Sequence, residues 1–193
     1  MADELLAACL DARFVGISVI GPHANEGVAD IFKRKMDDIQ CIGKTFWLVA
    51  SSKVRPLIVQ EMCRANGAGY VVFVESSGVP RPAITAIAAV ESSTDQQTWE
   101  PLPVGLGPVT GKLGLSAKAL IFDALELCHG EPFDMWAYGE LPDGTKPLDT
   151  RIGHSTVLAL KYDTSVHSKK MKSRFRQVVA CGRLQNPFCV WLR

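Results

Sequence analysis

Lys169, Lys170, Lys172, Arg174 and Arg176 fall within one short stretch of chain, with Phe175 among them. Clustered cations bind backbone phosphates and release their counterions. An aromatic ring beside them can stack on an unpaired base. Arg183 and Arg193 extend the basic character, so residues 164–193 hold seven cations and no acid. Residues 91–143 run the other way, with nine acids against Lys112 and Lys118, a local charge of −7. The whole chain nevertheless carries a formal charge of only +1. Such segregation gives a dipolar surface whose basic end meets something anionic. RNA or DNA fits that description. So does the acidic segment itself, met within the molecule or on a protein partner.

The other reactive side chains form weaker patterns. Cys41 stands near a turn and, with His23 or His154, is a candidate nucleophile and base, because such partners meet in space and not in sequence. No G-x-S-x-G string is present. Two stretches come near a phosphate loop. In Gly107-Pro108-Val109-Thr110-Gly111-Lys112-Leu113 the residue after the lysine is leucine, where magnesium needs a hydroxyl. Gly43-Lys44-Thr45 has the closing triplet, but Asp38 occupies the first glycine position. Both read as turns. The four histidines and six cysteines lack the spacing of a metal site, and no cofactor is implied. Cys9, Cys63, Cys181 and Cys189 sit among apolar residues, as small packing hydrophobes do.

The elements that position these groups follow from periodicity. Helical spacing covers 3–12, 27–39 and a segment opened by Pro56 and closed by Asn66-Gly67. Buried strands are expected at 14–20, 45–50, 70–74 and 84–90, with 70–74 central. Residues 93–116 and 139–153 are rich in glycine, proline and aspartate and read as loops. Residues 118–128 fit helix and strand equally, since both periods are present. Residues 155–162 alternate like a strand. Segments 177–184 and 188–192 are expected to close the fold as a hairpin around Gln185-Asn186-Pro187.

The chain has 193 residues, 47% hydrophobic and 21% charged, ordinary values for a globular protein with one good core. No apolar run suits a membrane span, and the acidic start lacks a signal-peptide pattern. These point to a single α/β or α+β domain over 1–193, with 93–116 the one candidate boundary. A mixed, partly closed sheet of about six strands with two to four helices is expected. The setting would be cytoplasmic or nuclear.

Phe46-Trp47-Leu48-Val49, the helix after Pro56, the 70–76 strand and its serine turn, and Ile84-Thr85-Ala86-Ile87-Ala88-Ala89-Val90 follow one another in a telling order. In this order, residues 46–127 resemble the PUA-like superfamily, in the manner of EVE and ASCH domains. The acidic, Trp-bearing loop of that pattern would be 91–99. The resemblance implies binding of RNA or a modified nucleobase, with Trp47, Ser51, Ser52, Lys53 and Arg55 lining the mouth of a pocket.

Three function classes follow. The first is a non-enzymatic nucleic-acid-associated module that uses Lys169, Lys170, Lys172, Arg174, Arg176 and Arg183. The second is a protein–protein interaction factor, an inhibitor or adaptor, using the acidic or the basic surface. The third is a hydrolase with a dispersed Cys/His or Ser/His site. The sequence leaves the oligomeric state open.

Overall fold

The computed structural model describes residues 2–22, 26–49, 51–76, 89–103, 118–141, 148, 156–162 and 175–193. Three helices flank one curled, mixed sheet, an α+β arrangement shaped as a half-barrel. In chain order the elements are α1 (Ala2–Asp11), β1 (Phe14–Ile20), α2 (Val28–Ile42), β2 (Thr45–Val49), α3 (Pro56–Asn66) and β3 (Gly69–Glu75). They continue with β4 (Glu91–Ser93), β5 (Glu100–Pro101), β6 (Lys118–Asp134), a 3-10 turn (Met135–Ala137), β7 (Tyr138–Glu140), β8 (Thr156–Lys161) and β9 (Phe175–Leu192). The sheet runs β2-β6-β9-β3-β1-β8-β7, and the small β4–β5 hairpin joins β9 near its C-terminal end. Strands β1 and β3 are parallel, and every other pairing is antiparallel.

The alternation of side chains along β1 and β3 divides the core between two faces. Val15, Ile17, Val19, Val72 and Val74 pack with Leu6 and Cys9 of α1 and with Phe133, Met135 and Tyr138. Val71 and Phe73 point the other way, against Phe32 of α2 and Val59 and Met62 of α3. A strand covered on both faces needs a near-continuous apolar run, which is why 14–20 and 70–74 are so hydrophobic. A third cluster of Phe46, Ala119, Ile121, Val190 and Leu192 lies beyond, with Ala89.

Polar groups fix the joints. The Asn66 side chain accepts from the Phe14 N–H at 3.1 Å and donates to the Phe14 carbonyl at 2.6 Å, tying the end of α3 to the start of β1. The Lys161 ammonium donates to the Leu10 carbonyl at 2.6 Å, a cation at the C-terminal end of the α1 dipole. Ser18 and Thr156 face each other across β1 and β8 and share a buried hydroxyl hydrogen bond of 3.0 Å.

Several expectations need correction. Residues 175–192 are one strand, not a hairpin. Both halves of β9 pair with the same partner, with Leu120 opposite Cys189 and Phe122 opposite Leu184. Residues 185–188 therefore bulge out of a ladder that continues on either side. Local turn chemistry at Asn186-Pro187 shaped the bulge, while pairing to β6 set the direction of the chain. Residues 118–128, which fit either period, are strand, the first part of β6, and here nothing expected is overturned. Gly139 and Glu140, expected as the start of a loop, join Tyr138 in the edge strand β7 against β8. The expected strand at 84–90 lies mostly outside the described residues, and Ala89 and Val90 are not strand. Seven strands in the main order slightly exceed the expected number.

The β6–β9 ladder leaves no room for a side chain at Gly182, which lies opposite Leu125. A Cβ built there would stand 2.6 Å from Phe122 Cδ1 and 2.7 Å from Leu125 Cδ2. Gly182→Ala should therefore lower the unfolding free energy by about 1–3 kcal/mol through overpacking, measurable by urea titration. An unchanged midpoint would show that Phe122 and Leu125 move aside freely.

Candidate nucleic-acid interface

Lys169, Lys170, Lys172 and Arg174 lie outside the described residues. The strand they lead into, β9, opens on Phe175, whose side chain is 59% exposed and which pairs with Asp134 of β6. Arg176 follows and donates from Nη1 to the Glu75 carbonyl at 3.0 Å. Burial lowers its pKa, though a guanidinium remains charged.

Further along β9 the basic and acidic tracts of the sequence meet. Arg183 grips Asp123 through two hydrogen bonds, 2.9 Å from Nε and 3.3 Å from Nη2. This bidentate contact raises the arginine pKa. Arg193 donates from Nε to Glu91 at 2.7 Å and stacks its guanidinium over Trp99, 4.2 Å from the ring centre. Strands β6 and β9 are neighbours, so part of the charge asymmetry of the sequence is neutralised inside the fold.

The Trp-bearing loop is a hydrogen-bonded turn between β4 and β5. Ser93 Oγ accepts from the Gln96 N–H at 2.9 Å. Asp95 Oδ1 accepts from the N–H groups of Gln97 and Thr98 at 2.8 and 2.9 Å. Those backbone donors, Thr98 first and then Gln97, hold the Asp95 carboxyl below its ordinary range. The turn borders a cleft of about 260 Å³. Phe46, Ile121 and Val190 form its apolar floor, and Lys44, Thr98 and Glu100 stand among its polar walls.

The residues proposed to line a pocket mouth divide into two groups. Trp47 is half-buried and belongs to an aromatic cluster, stacked on Phe32 at 5.5 Å and edge-on to Phe73 at 4.6 Å. Ser51, Ser52, Lys53 and Arg55 share the loop before α3. The Lys53 N–H donates to Ser51 Oγ, and Lys53 Nζ pairs with Glu140 at 2.7 Å. Arg55 Nε donates to the Ser52 carbonyl at 3.3 Å.

Beneath this loop sits a residue that the sequence reading counted only as a charge. Lys118 is 2% exposed. Its Nζ donates to the Ser51 carbonyl at 2.9 Å and lies 5.1 Å from the centre of the Trp191 ring. Burial is the chief cause that lowers its pKa, and Arg55 adds to it, while nearby Cys189 opposes the shift. The one available signal was a lysine opening the otherwise apolar run Ala-Leu-Ile-Phe.

The remaining candidates are quickly placed. Cys41 is exposed on the last turn of α2, while His23 and His154 fall outside the described residues. Gly43 caps α2 with φ of 76°, its N–H bonded to the Ile39 carbonyl, and β2 follows directly. The Gly43-Lys44-Thr45 triplet is thus a helix end and not a phosphate cradle. The 107–113 stretch lies outside the described residues. Among the described residues no three His, Cys, Asp or Glu side chains converge as a metal site would need. Among them, too, no helix is long and apolar enough to cross a membrane. No family model, curated protein or solved structure matches this chain.

Proposed function

We propose that the protein is a non-enzymatic binding module that associates with single-stranded nucleic acid through the basic block leading into β9. Lys169, Lys170, Lys172 and Arg174 contact phosphates, and Phe175 stacks on a base. The observation that carries this reading is the exposed Phe175 ring at the head of β9, immediately after four cations in the sequence. The pairing of Arg183 with Asp123 and of Arg193 with Glu91 supports it indirectly. Those two cations are held by acids of the same chain, so Arg183 drops out of the phosphate-binding set and the weight falls on the earlier block. A PUA-like relationship and a cytoplasmic or nuclear setting belong to the same proposal. The cleft beside the Trp99 turn is then the place for a splayed base.

Fluorescence anisotropy against short single-stranded RNA, single-stranded DNA and duplex DNA, across a salt series, tests the reading. Binding should weaken steeply with salt. Changing Lys169, Lys170, Lys172 and Arg174 together to Gln should reduce the slope of log K against log salt by about 3, since each phosphate contact to a single strand contributes roughly 0.7. Absence of binding at low salt, or a slope that the variant does not alter, would overturn the proposal and favour a protein partner.

A further inference from the structure

We propose that Cys128 and Cys181 form a modification site, at which a hydroperoxide converts the two thiols into a disulfide joining β6 to β9. The argument starts from register. Glu126 of β6 pairs with Cys181 of β9, and Cys128 lies two residues along the same face. The two sulfurs approach to 3.7 Å although the residues are 53 positions apart in sequence. Partners offset by two residues across a ladder stand about 7–8 Å apart, at the edge of a disulfide's reach, so the bridge needs a small local backbone movement and not a new fold. The backbone there can supply it. The ladder breaks between Leu127 and Glu131, so residues 128–130 are free of the strict register, and Gly130 takes φ of 88°.

The two thiols differ in access, as an attacking and a resolving cysteine do. Cys128 is half-buried and reachable by a small oxidant, whereas Cys181 is wholly buried behind it. Cys9 of α1 packs in the same cluster, also fully buried, with its thiol 3.9 Å from the Gly182 carbonyl. The sulfur of Cys128 attacks one oxygen of hydrogen peroxide, so an S–O bond forms and the O–O bond breaks. The hydroxide that leaves takes up the thiol proton and departs as water. The Cys181 sulfur then attacks the sulfenic sulfur of Cys128, forming the S–S bond and breaking S–O. The second hydroxide takes the Cys181 proton and departs as water. Two thiols and one peroxide thus give one disulfide and two waters, the sulfurs losing the two electrons that the peroxide gains.

The surroundings make this a slow reaction. The Cys128 thiol donates to Cys181 and is partly buried, and Cys181, Glu131 and Glu126 disfavour its negative charge, so it stays protonated at neutral pH. For Cys181 the contact from Cys128 favours the thiolate, but the contact with Cys9 and burial outweigh it. The pair therefore responds to sustained oxidant and not to a brief trace.

The test uses the full chain carrying Cys41→Ser, which removes the exposed thiol that would otherwise cross-link two molecules. After treatment with hydrogen peroxide, free thiols are alkylated under denaturing conditions and peptides are mapped by mass spectrometry without reduction. The expected result is one cross-linked species containing Cys128 and Cys181, reversed by a dithiol. A rise in melting temperature of about 5–10 °C should accompany it, because the bridge constrains a long loop of the unfolded chain. Adding Cys128→Ser should abolish both effects and leave the melting temperature of the unoxidised protein nearly unchanged. A cross-link between Cys9 and Cys181 would overturn the assignment. So would Cys128 carried on to sulfinic acid without a bridge, or both thiols recovered fully alkylated.

Discussion

Between pH 9 and 11 the protein should lose most of its stability, with a urea midpoint that falls steeply across two pH units. Burial pushes the thiols of Cys63 and Cys189 up to about 12 from their ordinary 9.0. Cys128 and Cys181 are raised as well. A thiol whose folded pKa is raised stabilises the fold fully below pH 9. It loses that contribution as pH rises towards the folded value, because the unfolded chain gives up its proton first. Each such group removes about 1.4 kcal/mol per pH unit in that window. Cys63 and Cys189 alone remove about 5 kcal/mol by pH 11, comparable with the whole stability of many domains. Tyr138, raised by burial to about 12 from 10.0, adds to the loss above pH 10.

One group acts in the opposite direction. Burial lowers the Lys35 amine to about 8 from 10.5, against the attraction of Asp38. Between those values the unfolded chain holds a proton that the folded chain has released, so stability rises with pH. Its gain begins near pH 8, before the thiols titrate, and ends near 10.5 at about 3 kcal/mol. The urea midpoint should accordingly stay nearly level from pH 8 to 9, where the Lys35 gain offsets the first thiol losses, and then fall. Cys189→Ala should make the fall shallower by one group. A midpoint unchanged from pH 8.5 to 10.5 would show that the buried thiols are not titrating as described.

Phe73→Ala should be the most damaging single truncation in the core, at about 3–5 kcal/mol. Phe73 is fully buried on the central strand β3. Its ring meets Phe32 edge-on at 4.8 Å, Trp47 edge-on at 4.6 Å and Phe122 at 5.8 Å. Those partners come from α2, β2 and β6, so none can collapse into the space without moving an element. Each contact also adds an aromatic term beyond burial. Urea unfolding of the variant checks the figure, with Phe73→Leu expected to retain more of the stability than Ala. A loss under about 1 kcal/mol for Ala would mean that the cluster does not organise this face.

The elements legible in the sequence were those whose signal is local. The apolar runs at β1 and β3, the amphipathic face of α2, and Pro56 with Gly67 around α3 each declared themselves within a dozen or so residues. The sequence misled, or left two answers open, where a distant partner decided the outcome. Gln185-Asn186-Pro187 has the composition of a turn, yet β6 continues on both sides of it and makes it a bulge. Leu120, Ile121, Ala124 and Leu125 suit a helix equally well, and only the presence of β2 and β9 on either side makes them strand. The charge tracts were visible, but not the pairing that joins them. Asp123 and Arg183 are 60 residues apart, and Glu91 and Arg193 are 102 apart. Nor could any periodicity show that Lys118 is buried, because its burial depends on Ser51 and Trp191 closing over it from two other segments.

The position of β9 between β3 and β6 has a consequence for how the protein is made. The sheet is not assembled in the order in which it emerges from the ribosome. Residues 69–75 and 118–134 are synthesised early, and each must wait for residues 175–192 to fill the gap between them. Through that interval the nascent chain exposes two open strand edges with apolar side chains, which is the condition under which unfinished chains pair with one another. Protein production should therefore reward slow synthesis and low temperature, and chaperones that hold exposed strands should matter more for this chain than its modest size suggests.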